Sequence, residues 1–426
     1  MNYSVTSPAK VDCRVQLPPS KSMAIRALLL DALCDGKAED SLHLAEQPNA
    51  SGDIEVMARA LACTGEQVNV GGTGAAMRFL TAYFATRRGR TVVLDGDKRM
   101  RQRPIGMLVD ALRQMGAEVQ YLGNEGFPPL RITGHHLTGG TVHIDGSVSS
   151  QYISALLMIA PLAGGVTLML DGNVVSRPYI DMTLAMMRKR GVEAHWHEGE
   201  IVVPSGSYKS LPMLHEGDWS AASYWFAMKA LLPDSAIVLL GLNRDSIQGD
   251  RAIVEMMKPL GVIASWNDGV LSLERTDVEL PQLYSRDMSD TPDLVPTLAV
   301  TLCLLHVPYE LTGVANLAIK ESNRLEALQE QMLLLGYEIE SDGTTLRYDG
   351  NHTAVTGEVT LDSHGDHRMA MALSLASTRH ASITIADAQV VTKSYPRWWE
   401  HLACAGFEMS DMRSQISDMR DETPDL

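Results

Sequence analysis

The sequence predicts an α/β protein of two globular domains, because one helix–strand pattern recurs six times along its 426 residues. The recurring pattern is an amphipathic helix, a small residue that is usually Gly, and a short β-like segment. Most of the units exceed 70 residues and share little sequence, which is unlike the shorter and more regular repeats of a solenoid. We therefore expect two globules of three units each.

The amphipathic helices carry apolar residues at i, i+3 and i+4 spacing, which places those residues on one face of each helix. The Gly that usually follows is typical of a left-handed helix C-terminus. Three of the six helices open with Pro, which suits a first helical turn. The six predicted starts are Asp53, Pro104, Pro178, Asp250, Glu321 and Pro396.

A second, more apolar helix lies in each unit, and we expect these helices to be buried. Their predicted starts are Ser20, Thr73, Ser149, Asp218, Asp290 and His364. One of them falls in a run without charge between Asp145 and Asp171. Its Ser149, Gln151 and Gly-Gly pair disfavour a membrane span. This run is therefore predicted to be a buried helix, a turn and a strand.

Charge and cysteine content exclude several classes of protein. The chain has 36 Lys and Arg against 52 Asp and Glu, a formal net charge of −16, which disfavours a broad nucleic-acid or anionic-membrane surface. Its five cysteines are scattered without a C-x-x-C pair, which disfavours a structural zinc site or disulfide framework and fits a reducing cytosol. The polar first ten residues do not resemble a signal peptide. We expect a cytoplasmic protein.

The starts of the buried helices combine exposed backbone N–H groups with hydroxyl, amide and basic side chains, a composition suited to anion binding. Each start alone has a simpler explanation, such as a capped helix, a tight turn or a solvated loop. The segments in the first half are 19–26, 71–76, 98–104, 149–151 and 176–179. The range 98–104 holds four bases within a strongly acidic chain.

The second half of the sequence adds carboxylates to this pattern. Asp293 follows Pro292 at a helix start, which capping alone explains, and Lys320, Glu321 and Arg324 could form an ordinary surface network. The remaining segments are Gly365–Arg368 and Lys393. His364 and His367 lack a matching third ligand, which disfavours a metal site. Taken together, the helix starts predict a pocket for anionic substrates that also contains two acids.

Seven ordered segments resemble the 5-enolpyruvylshikimate-3-phosphate (EPSP) synthase family, from about Gln16 to Phe407. They are LPPSKSMAIRALLL, RMRQRPIGMLVDAL, GSVSSQYISALLM, SRPYIDMT, NLAIKESNRL, GDHRMAMALSLA and VTKSYP. The resemblance implies two domains of three βαβαββ units, with the active site in the cleft between them. It implies a discontinuous domain of residues 1–19 plus 215–407, an inserted domain of residues 20–214, and an acidic tail of residues 408–426.

The implied reaction transfers the enolpyruvyl group of phosphoenolpyruvate to the 5-hydroxyl of shikimate 3-phosphate and releases phosphate, in aromatic amino acid biosynthesis. It proceeds by addition and elimination through a tetrahedral intermediate and needs no metal ion or organic cofactor. The expected partners are these two small molecules, without nucleic acid or membrane, and we expect a monomer.

The resemblance also implies the residues that carry this reaction. The implied contacts to shikimate 3-phosphate are Lys21, Ser22, Arg26, Ser149, Ser150, Gln151, Ser176, Tyr179, Asp293, Asn316 and Lys320. The implied contacts to phosphoenolpyruvate are Lys21, Gly74, Arg103, Gln151, Arg324, Arg368 and Lys393. The implied proton-transfer groups are Asp293, Glu321 and Lys21. Asp293 is the expected base, because the 5-hydroxyl is a poor nucleophile until its proton is removed.

Four positions depart from the usual family pattern. Gly72 and Ala75 stand where the family has Asn and Thr, Phe79 replaces a common Pro, and Asn323 replaces a common Asp. None of these is assigned to proton transfer.

Two alternatives remain open: the related enolpyruvyl transferase that acts on UDP-N-acetylglucosamine, and a non-catalytic anion-binding protein. The former typically uses a loop Cys that the basic segment 98–104 lacks, and retained carboxylates argue against the latter.

Overall fold

The computed structural model describes residues 1–34, 50–212 and 216–411. The chain forms two compact units. The discontinuous unit comprises Met1–Pro19, Glu216–Ser246 and Asp250–Leu426, and the inserted unit comprises Ser20–His215 and Ile247–Gly249. The short segment Ile247–Gly249 thus differs from the predicted division. Its Gln248 accepts a hydrogen bond from the Ser20 hydroxyl at 2.8 Å, which ties it to the inserted unit.

Short strands alternate with helices along the whole described chain. The strands are β1 Tyr3–Thr6, β2 Asp12–Gln16, β3 Gln67–Asn69, β4 Thr91–Asp95, β5 Glu118–Tyr121, β6 Leu130–Thr133, β7 Gly140–Asp145, β8 Gly165–Asp171, β9 His195–His197, β10 Glu200–Pro204, β11 Ala236–Leu240, β12 Val262–Asn267, β13 Val270–Arg275, β14 Tyr284–Asp287, β15 Tyr309–Thr312, β16 Tyr337–Ser341, β17 Thr345–His352, β18 Val359–Asp362, β19 Ile383–Ala386 and β20 Glu408–Asp411. The α-helices are α1 Lys21–Leu33, α2 Gly52–Ala62, α3 Gly74–Ala85, α4 Gly106–Gln114, α5 Ser150–Ile159, α6 Arg177–Lys189, α7 Trp219–Leu231, α8 Ile253–Met257, α9 Val295–Leu304, α10 Arg324–Leu334, α11 His367–Ser374 and α12 Trp398–Cys404.

The described strands form four-stranded sheets that share one topology. Their orders are β3-β4-β6-β5, β7-β8-β10-β9, β2-β11-β13-β12, β14-β15-β17-β16 and β18-β19-β1-β20. In each sheet the first two strands are parallel and the other two pair antiparallel. A parallel pair needs a crossover connection, whereas a hairpin needs only a tight turn. The crossover is a buried helix, and in all of these sheets but the last an amphipathic helix precedes the hairpin. The predicted βαβαββ units are therefore confirmed in these sheets.

The last sheet of the discontinuous unit is completed by the first strand of the chain. Strand β1 pairs antiparallel with both β19 and β20, and Ser4 lies opposite Ser410 in the second pairing. Residues Glu408–Asp411 therefore belong to a sheet, and the prediction of an acidic tail that starts at residue 408 was wrong at its boundary. Residues 412–426 of that predicted tail lie outside the described residues.

The two helix classes differ in burial as predicted. Every residue of α9 and α11 is buried, and so are most residues of α1, α3, α5 and α7. Helix α6, by contrast, buries 5 of its 13 residues, and the others are half-buried or exposed. The uncharged run is α5, a turn with left-handed Gly164 and Gly165, and β8. No helix in the described part of the chain is long and apolar enough to span a bilayer.

The predicted helix starts are close to the observed ones, with local corrections. Ser20, Thr73, Ser149 and Asp218 are the residues that immediately precede the first turn of α1, α3, α5 and α7. The helix predicted from Asp290 begins only at Val295, after a 3-10 turn over Pro292–Leu294. Similarly, α4 begins at Gly106 instead of Pro104. The predicted pair α1 and α2 is connected by residues 35–49, which lie outside the described ranges.

Candidate active site

In the inserted unit, Arg26 is a buried cation held by neutral groups. Its Nε donates to Thr183 Oγ1 at 2.8 Å, and its Nη2 donates to Ser154 Oγ at 3.2 Å. Backbone carbonyls of Ser22 and Tyr179 accept further bonds at 3.0 and 3.4 Å. Within the described residues these acceptors include no carboxylate. Burial lowers the pKa of Arg26 to about 10, so the guanidinium stays charged at neutral pH and its charge is available to an anion.

Lys21 opens helix α1 next to a carboxylate of helix α2. Its Nζ lies 3.1 Å from Asp53 Oδ2. The other oxygen of Asp53 accepts a hydrogen bond from Thr73 Oγ1 at 2.9 Å. Asp53 and Thr73 were not among the predicted site residues. The only sequence signal for Asp53 was an acid in the first turn of a helix, which dipole compensation explains equally well.

Gly74 opens helix α3 beneath two arginine side chains. A Cβ atom at this position would lie 2.6 Å from Arg78 Nη1 and 2.7 Å from Arg103 Nη1. Both arginines are buried, and Arg78 donates to the Gly74 carbonyl at 3.0 Å. The structure thus brings the predicted Gly74 and Arg103 together and adds Arg78. The sequence signal for Arg78 was a charged residue inside an otherwise apolar helix.

The other predicted residues of the inserted unit lie at helix starts. Ser149 precedes α5, and its hydroxyl accepts from the Gln151 backbone N–H at 3.3 Å. Ser150 is buried, while Gln151 is half-buried. Ser176 precedes α6 in a left-handed conformation with φ of 54°. Its neighbour Tyr179 places its ring 6.0 Å from the Arg26 guanidinium, so Ser22, Arg26 and Tyr179 form one local group.

In the discontinuous unit, three cations converge on Asp293. Arg324 Nη1 lies 3.0 Å from Oδ1, Arg368 Nη2 lies 2.8 Å from Oδ2, and Lys320 Nζ lies 3.7 Å from Oδ1. Burial alone raises the pKa of Asp293, but the charges of Arg368, Lys320 and Arg324 outweigh it and hold that pKa well below the usual range. Burial also lowers the pKa of Lys320. Asp293 is therefore a firmly ionised carboxylate.

Arg324 connects Asp293 to two further carboxylates. It is only 1% exposed and also pairs with Glu321 at 3.1 Å and Asp366 at 2.8 Å. Asp366 in turn caps helix α11 by accepting from the Arg368 backbone N–H at 2.9 Å. Five predicted residues thus form one continuous network: Asp293, Lys320, Glu321, Arg324 and Arg368. Asp366 is an addition that the Gly-Asp-His-Arg segment could have indicated as a helix cap.

Lys393 and Asn316 lie at the edges of this network. Lys393 donates to the Gly365 carbonyl at 3.2 Å, one residue before Asp366. Asn316 lies in a 3-10 turn, and its buried Oδ1 has no hydrogen-bond partner among the described residues. No group of His, Cys, Asp and Glu side chains in the described part of the chain is arranged to hold a metal ion.

The sequence also did not indicate the pair formed by Ser220 and Asp250. The Ser220 hydroxyl donates a short hydrogen bond to Asp250 and accepts one from Arg368 Nη2 at 3.3 Å. Burial, reinforced by the charge of Asp293, raises the pKa of Asp250 to about 6. The two aspartates near Arg368 therefore have pKa values displaced in opposite directions, as is common where proton transfer takes place.

The arrangement of strands and helices is that of the enolpyruvyl transferases. EPSP synthase from Acinetobacter baumannii superimposes with a TM-score of 0.73 at 20% identity, over 96% of this chain and 100% of that one. The enolpyruvyl transferase NikO from Streptomyces tendae gives 0.68 at 14% identity, over 96% and 98% of the two chains. At these identities the likeness defines the fold and nothing further.

Sequence comparison then identifies the family. The model of EPSP synthase (3-phosphoshikimate 1-carboxyvinyltransferase) matches residues 57–402. A relative of that name from Bacteroides fragilis (strain YCH46) is 43% identical over 410 residues, which are 96% of this chain and 98% of the relative. Another from Salmonella typhimurium (strain LT2) is 36% identical over 420 residues, or 93% and 96% of the two chains. The chain belongs to the EPSP synthase family.

Family membership makes the chain a transferase of the shikimate pathway, which leads to aromatic amino acids. The reaction is transfer of the enolpyruvyl group of phosphoenolpyruvate to shikimate 3-phosphate. The alternative acceptor UDP-N-acetylglucosamine and the alternative of a non-catalytic binding protein are not favoured by these relatives.

Proposed function

We propose that the residues described above carry this transfer, with Asp293 as the base that activates the 5-hydroxyl of shikimate 3-phosphate. The observation that carries the proposal is the convergence of Arg324, Arg368 and Lys320 on Asp293 within 4 Å. When an anionic substrate binds, the three cations can exchange their contacts with this carboxylate for contacts with the substrate. Such an exchange would couple substrate binding to a change in the basicity of Asp293.

Shikimate 3-phosphate carries a phosphate and a carboxylate, so its site requires fixed cations and hydroxyl donors. Arg26 supplies a charged group whose acceptors in the described chain are neutral. The proposed contacts are Lys21, Ser22, Arg26, Ser149, Ser150, Gln151, Ser176, Tyr179, Asp293, Asn316 and Lys320. The Oδ1 of Asn316 is buried and has no hydrogen-bond partner among the described residues. This supports its place in the set, because a buried acceptor without a donor is costly until a ligand donates to it.

Phosphoenolpyruvate is small and highly charged, which favours planar guanidinium groups over single ammonium groups. The proposed contacts are Lys21, Gly74, Arg103, Gln151, Arg324, Arg368 and Lys393. Gly74 supports this assignment, because the absence of a side chain leaves room for two arginine heads at the start of helix α3. The exposed N–H groups of that helix start also favour an anion.

Asp293 must become more basic before it can act, because a carboxylate with a strongly lowered pKa is a poor proton acceptor. Its low pKa comes from the charges of Arg368, Lys320 and Arg324. When phosphate and carboxylate groups of the substrates engage these cations, their stabilisation of Asp293 weakens. Burial then dominates and raises the pKa of Asp293 towards the range where it can accept the hydroxyl proton.

The chemical steps balance with the groups at hand. Asp293 takes the 5-hydroxyl proton, the oxygen bonds to carbon 2 of phosphoenolpyruvate, and Glu321 or Lys21 gives a proton to carbon 3. This forms the tetrahedral intermediate. Carbon 3 then returns a proton to the same group, the bond from carbon 2 to the phosphate oxygen breaks, and the phosphate leaves with the proton held by Asp293. Fixed cations stabilise the departing phosphate.

The acceptor is tested by measuring phosphate release from phosphoenolpyruvate with purified protein. We expect release with shikimate 3-phosphate and only background with UDP-N-acetylglucosamine. Turnover with the nucleotide sugar alone would contradict the acceptor assignment.

The role of Asp293 is tested separately with Asp293→Ala. We expect binding of shikimate 3-phosphate by calorimetry to stay within about tenfold, while turnover falls roughly 10²–10⁴-fold because the base is lost. Asp342→Ala is the matched control, since this acid pairs with Arg347 on the surface of the same unit. Normal turnover of Asp293→Ala would remove Asp293 from the mechanism.

We further propose that the protein works as a cytoplasmic monomer without nucleic-acid or membrane partners. The five cysteines are all free thiols, which supports a reducing compartment. The net charge of −16 opposes binding to polyanions. Sedimentation of the pure protein and fractionation of its cells test the two parts of this proposal.

A further inference from the structure

Asp53 links the starts of three helices in the inserted unit. It lies in the first turn of α2 and is 8% exposed. One carboxylate oxygen accepts from Lys21 Nζ at 3.1 Å, at the start of α1. The other accepts from Thr73 Oγ1 at 2.9 Å, immediately before α3. Both oxygens are therefore committed, each to a different neighbouring element.

Thr73 uses its hydroxyl in an unusual way for its position. A Thr that immediately precedes a helix normally accepts a hydrogen bond from an N–H group of the first turn. Thr73 makes no such side-chain bond to α3 and donates to Asp53 instead. The hydroxyl thus orients the carboxylate and leaves the N–H groups of α3 available to another acceptor.

We propose that Asp53 is a positioning residue for the transfer reaction, which fixes the Lys21 ammonium group where it meets the substrates and is itself fixed by Thr73. This inference rests on the proposed role of Lys21 in binding both substrates. It assigns no contact between Asp53 and a substrate, because Asp53 acts through Lys21.

The physical need for such a residue follows from the lysine side chain. Lysine carries a compact charge on a flexible four-carbon stem, whereas arginine has a planar head with donors in fixed directions. Arg26 is held by four neutral acceptors. Lys21 is oriented by a charge-assisted bond to a carboxylate that cannot rotate freely, since Thr73 holds its second oxygen. Fixing the ammonium in advance reduces the entropy lost when an anion binds.

The test combines substitutions at Asp53, Thr73 and Lys21 with substrate affinities, KM and kcat. We expect Asp53→Asn to weaken both substrates roughly tenfold, because the ammonium loses its charged acceptor. Thr73→Val should weaken them roughly threefold, and Thr73→Ser, which keeps the hydroxyl, should stay within about twofold. If Asp53→Asn folds poorly, the comparison of Thr73→Val with Thr73→Ser still tests the inference.

A double-mutant cycle distinguishes this inference from the proposed function. In a Lys21→Met background, Asp53→Asn should change the remaining affinity by less than about twofold, because its effect passes through Lys21. An equal loss from Asp53→Asn in both backgrounds would overturn the positioning role. Unchanged affinities in Lys21→Met alone would instead overturn the proposed role of Lys21.

Asp31→Asn provides the matched structural control. Asp31 lies on the same helix α1 and pairs with Arg190 at 2.7 Å, with side-chain exposures of 15% and 6%. The side chains of the Lys21–Asp53 pair are similarly buried, with exposures of 14% and 11%. We expect Asp31→Asn to lower the thermal midpoint about as much as Asp53→Asn while leaving both affinities unchanged. Equal losses of affinity in the two variants would show a merely structural effect and overturn the inference.

Discussion

Among the residues that the structure describes, the two units hold their most buried arginines in opposite ways. Arg26 in the inserted unit is 3% exposed, and its acceptors among the described residues are hydroxyls and carbonyls. Arg324 in the discontinuous unit is 1% exposed and pairs with Asp293, Glu321 and Asp366. The first charge is solvated by neutral dipoles, while the second is balanced by carboxylates.

Several helix starts differ in the same sense, although the Ser149 hydroxyl does cap α5 in the inserted unit. In the discontinuous unit, α7 and α11 are capped by the carboxylates of Asp218 and Asp366. In the inserted unit, Ser20 and Thr73 precede α1 and α3, but neither hydroxyl caps its helix. The comparison teaches that one unit keeps positive potential available for an anion, whereas the other confines both signs of charge in a network suited to proton transfer.

The largest expected effect comes from removing the cation that balances three acids. Arg324→Met should destabilise the discontinuous unit by about 3–5 kcal/mol, because Asp293, Glu321 and Asp366 lose a shared partner in a buried setting. The midpoint of urea unfolding measures this loss. A midpoint equal to that of the unchanged protein would show that the carboxylate network contributes little to stability.

Arg26→Met should behave differently, which is the direct test of the comparison. Its partners lose hydrogen-bond donors but no carboxylate is left unpaired, so we expect a smaller loss of stability, about 1–3 kcal/mol. Binding of shikimate 3-phosphate by calorimetry should weaken roughly tenfold to a hundredfold, because a buried cation is lost. Severe unfolding without a specific loss of affinity would break the distinction between the two arginines.

Gly74→Ala should disturb the inserted unit through two arginines at once. The new Cβ would approach Arg78 Nη1 and Arg103 Nη1 to 2.6 and 2.7 Å, so both heads must move. We expect KM for phosphoenolpyruvate to rise roughly tenfold. Gly206→Ala is the control, because its Cβ would meet only Val192 at an ordinary 3.9 Å. Equal KM values in the two variants would contradict the assignment of this helix start.

The smallest effect concerns the pH dependence of stability through Asp250. Its pKa is raised to about 6 in the folded chain by burial and by Asp293, whereas an unfolded aspartate titrates near 4. The ionised group therefore opposes folding above pH 6, and this cost disappears as the pH falls from about 6 to 4. We compare the free energy of unfolding of Asp250→Asn with that of the unchanged protein. This difference should shift in favour of the variant by on the order of 1 kcal/mol when the pH is raised from 4.5 to 7.

Thermal midpoints of both proteins at the two pH values measure this gain. Gln282→Ala, an exposed substitution in the same unit that removes no ionisable group, should show no such change between the two pH values. A pH-independent difference for Asp250→Asn would show that the Asp250 carboxyl does not titrate in this window.

Much of the fold could be predicted because its determinants are local. The apolar spacing of the helices, the Gly residues after them and the β-like segments indicated repeated units, and the sheets have the βαβαββ topology. The starts at Ser20, Thr73, Ser149 and Asp218 agree with the structure to one residue. The tail boundary failed because Glu408–Asp411 pairs with a strand some 400 residues away, which no local pattern records.

The candidate site was predicted only in part. Seven family-like segments carried the bases and Glu321, and the family resemblance also implied Asp293 outside those segments, while Asp53, Arg78, Asp250 and Asp366 were missed. Each of the missed residues looks ordinary in sequence, as an acid in a first helical turn, a helix cap or an isolated base. Their importance depends on partners far along the chain, such as Asp53 with Lys21 or Asp250 with Ser220.

The sequence by itself determined the repeated units, the two helix classes and the family, because apolar periodicity and short motifs are written in neighbouring residues. The tertiary structure decided which charges meet. It gave Arg26 neutral partners and Arg324 three carboxylates, although both are arginines in buried parts of helices. The physical reason is that the energy of a buried charge depends on what surrounds it in space, and packing between distant segments sets those surroundings.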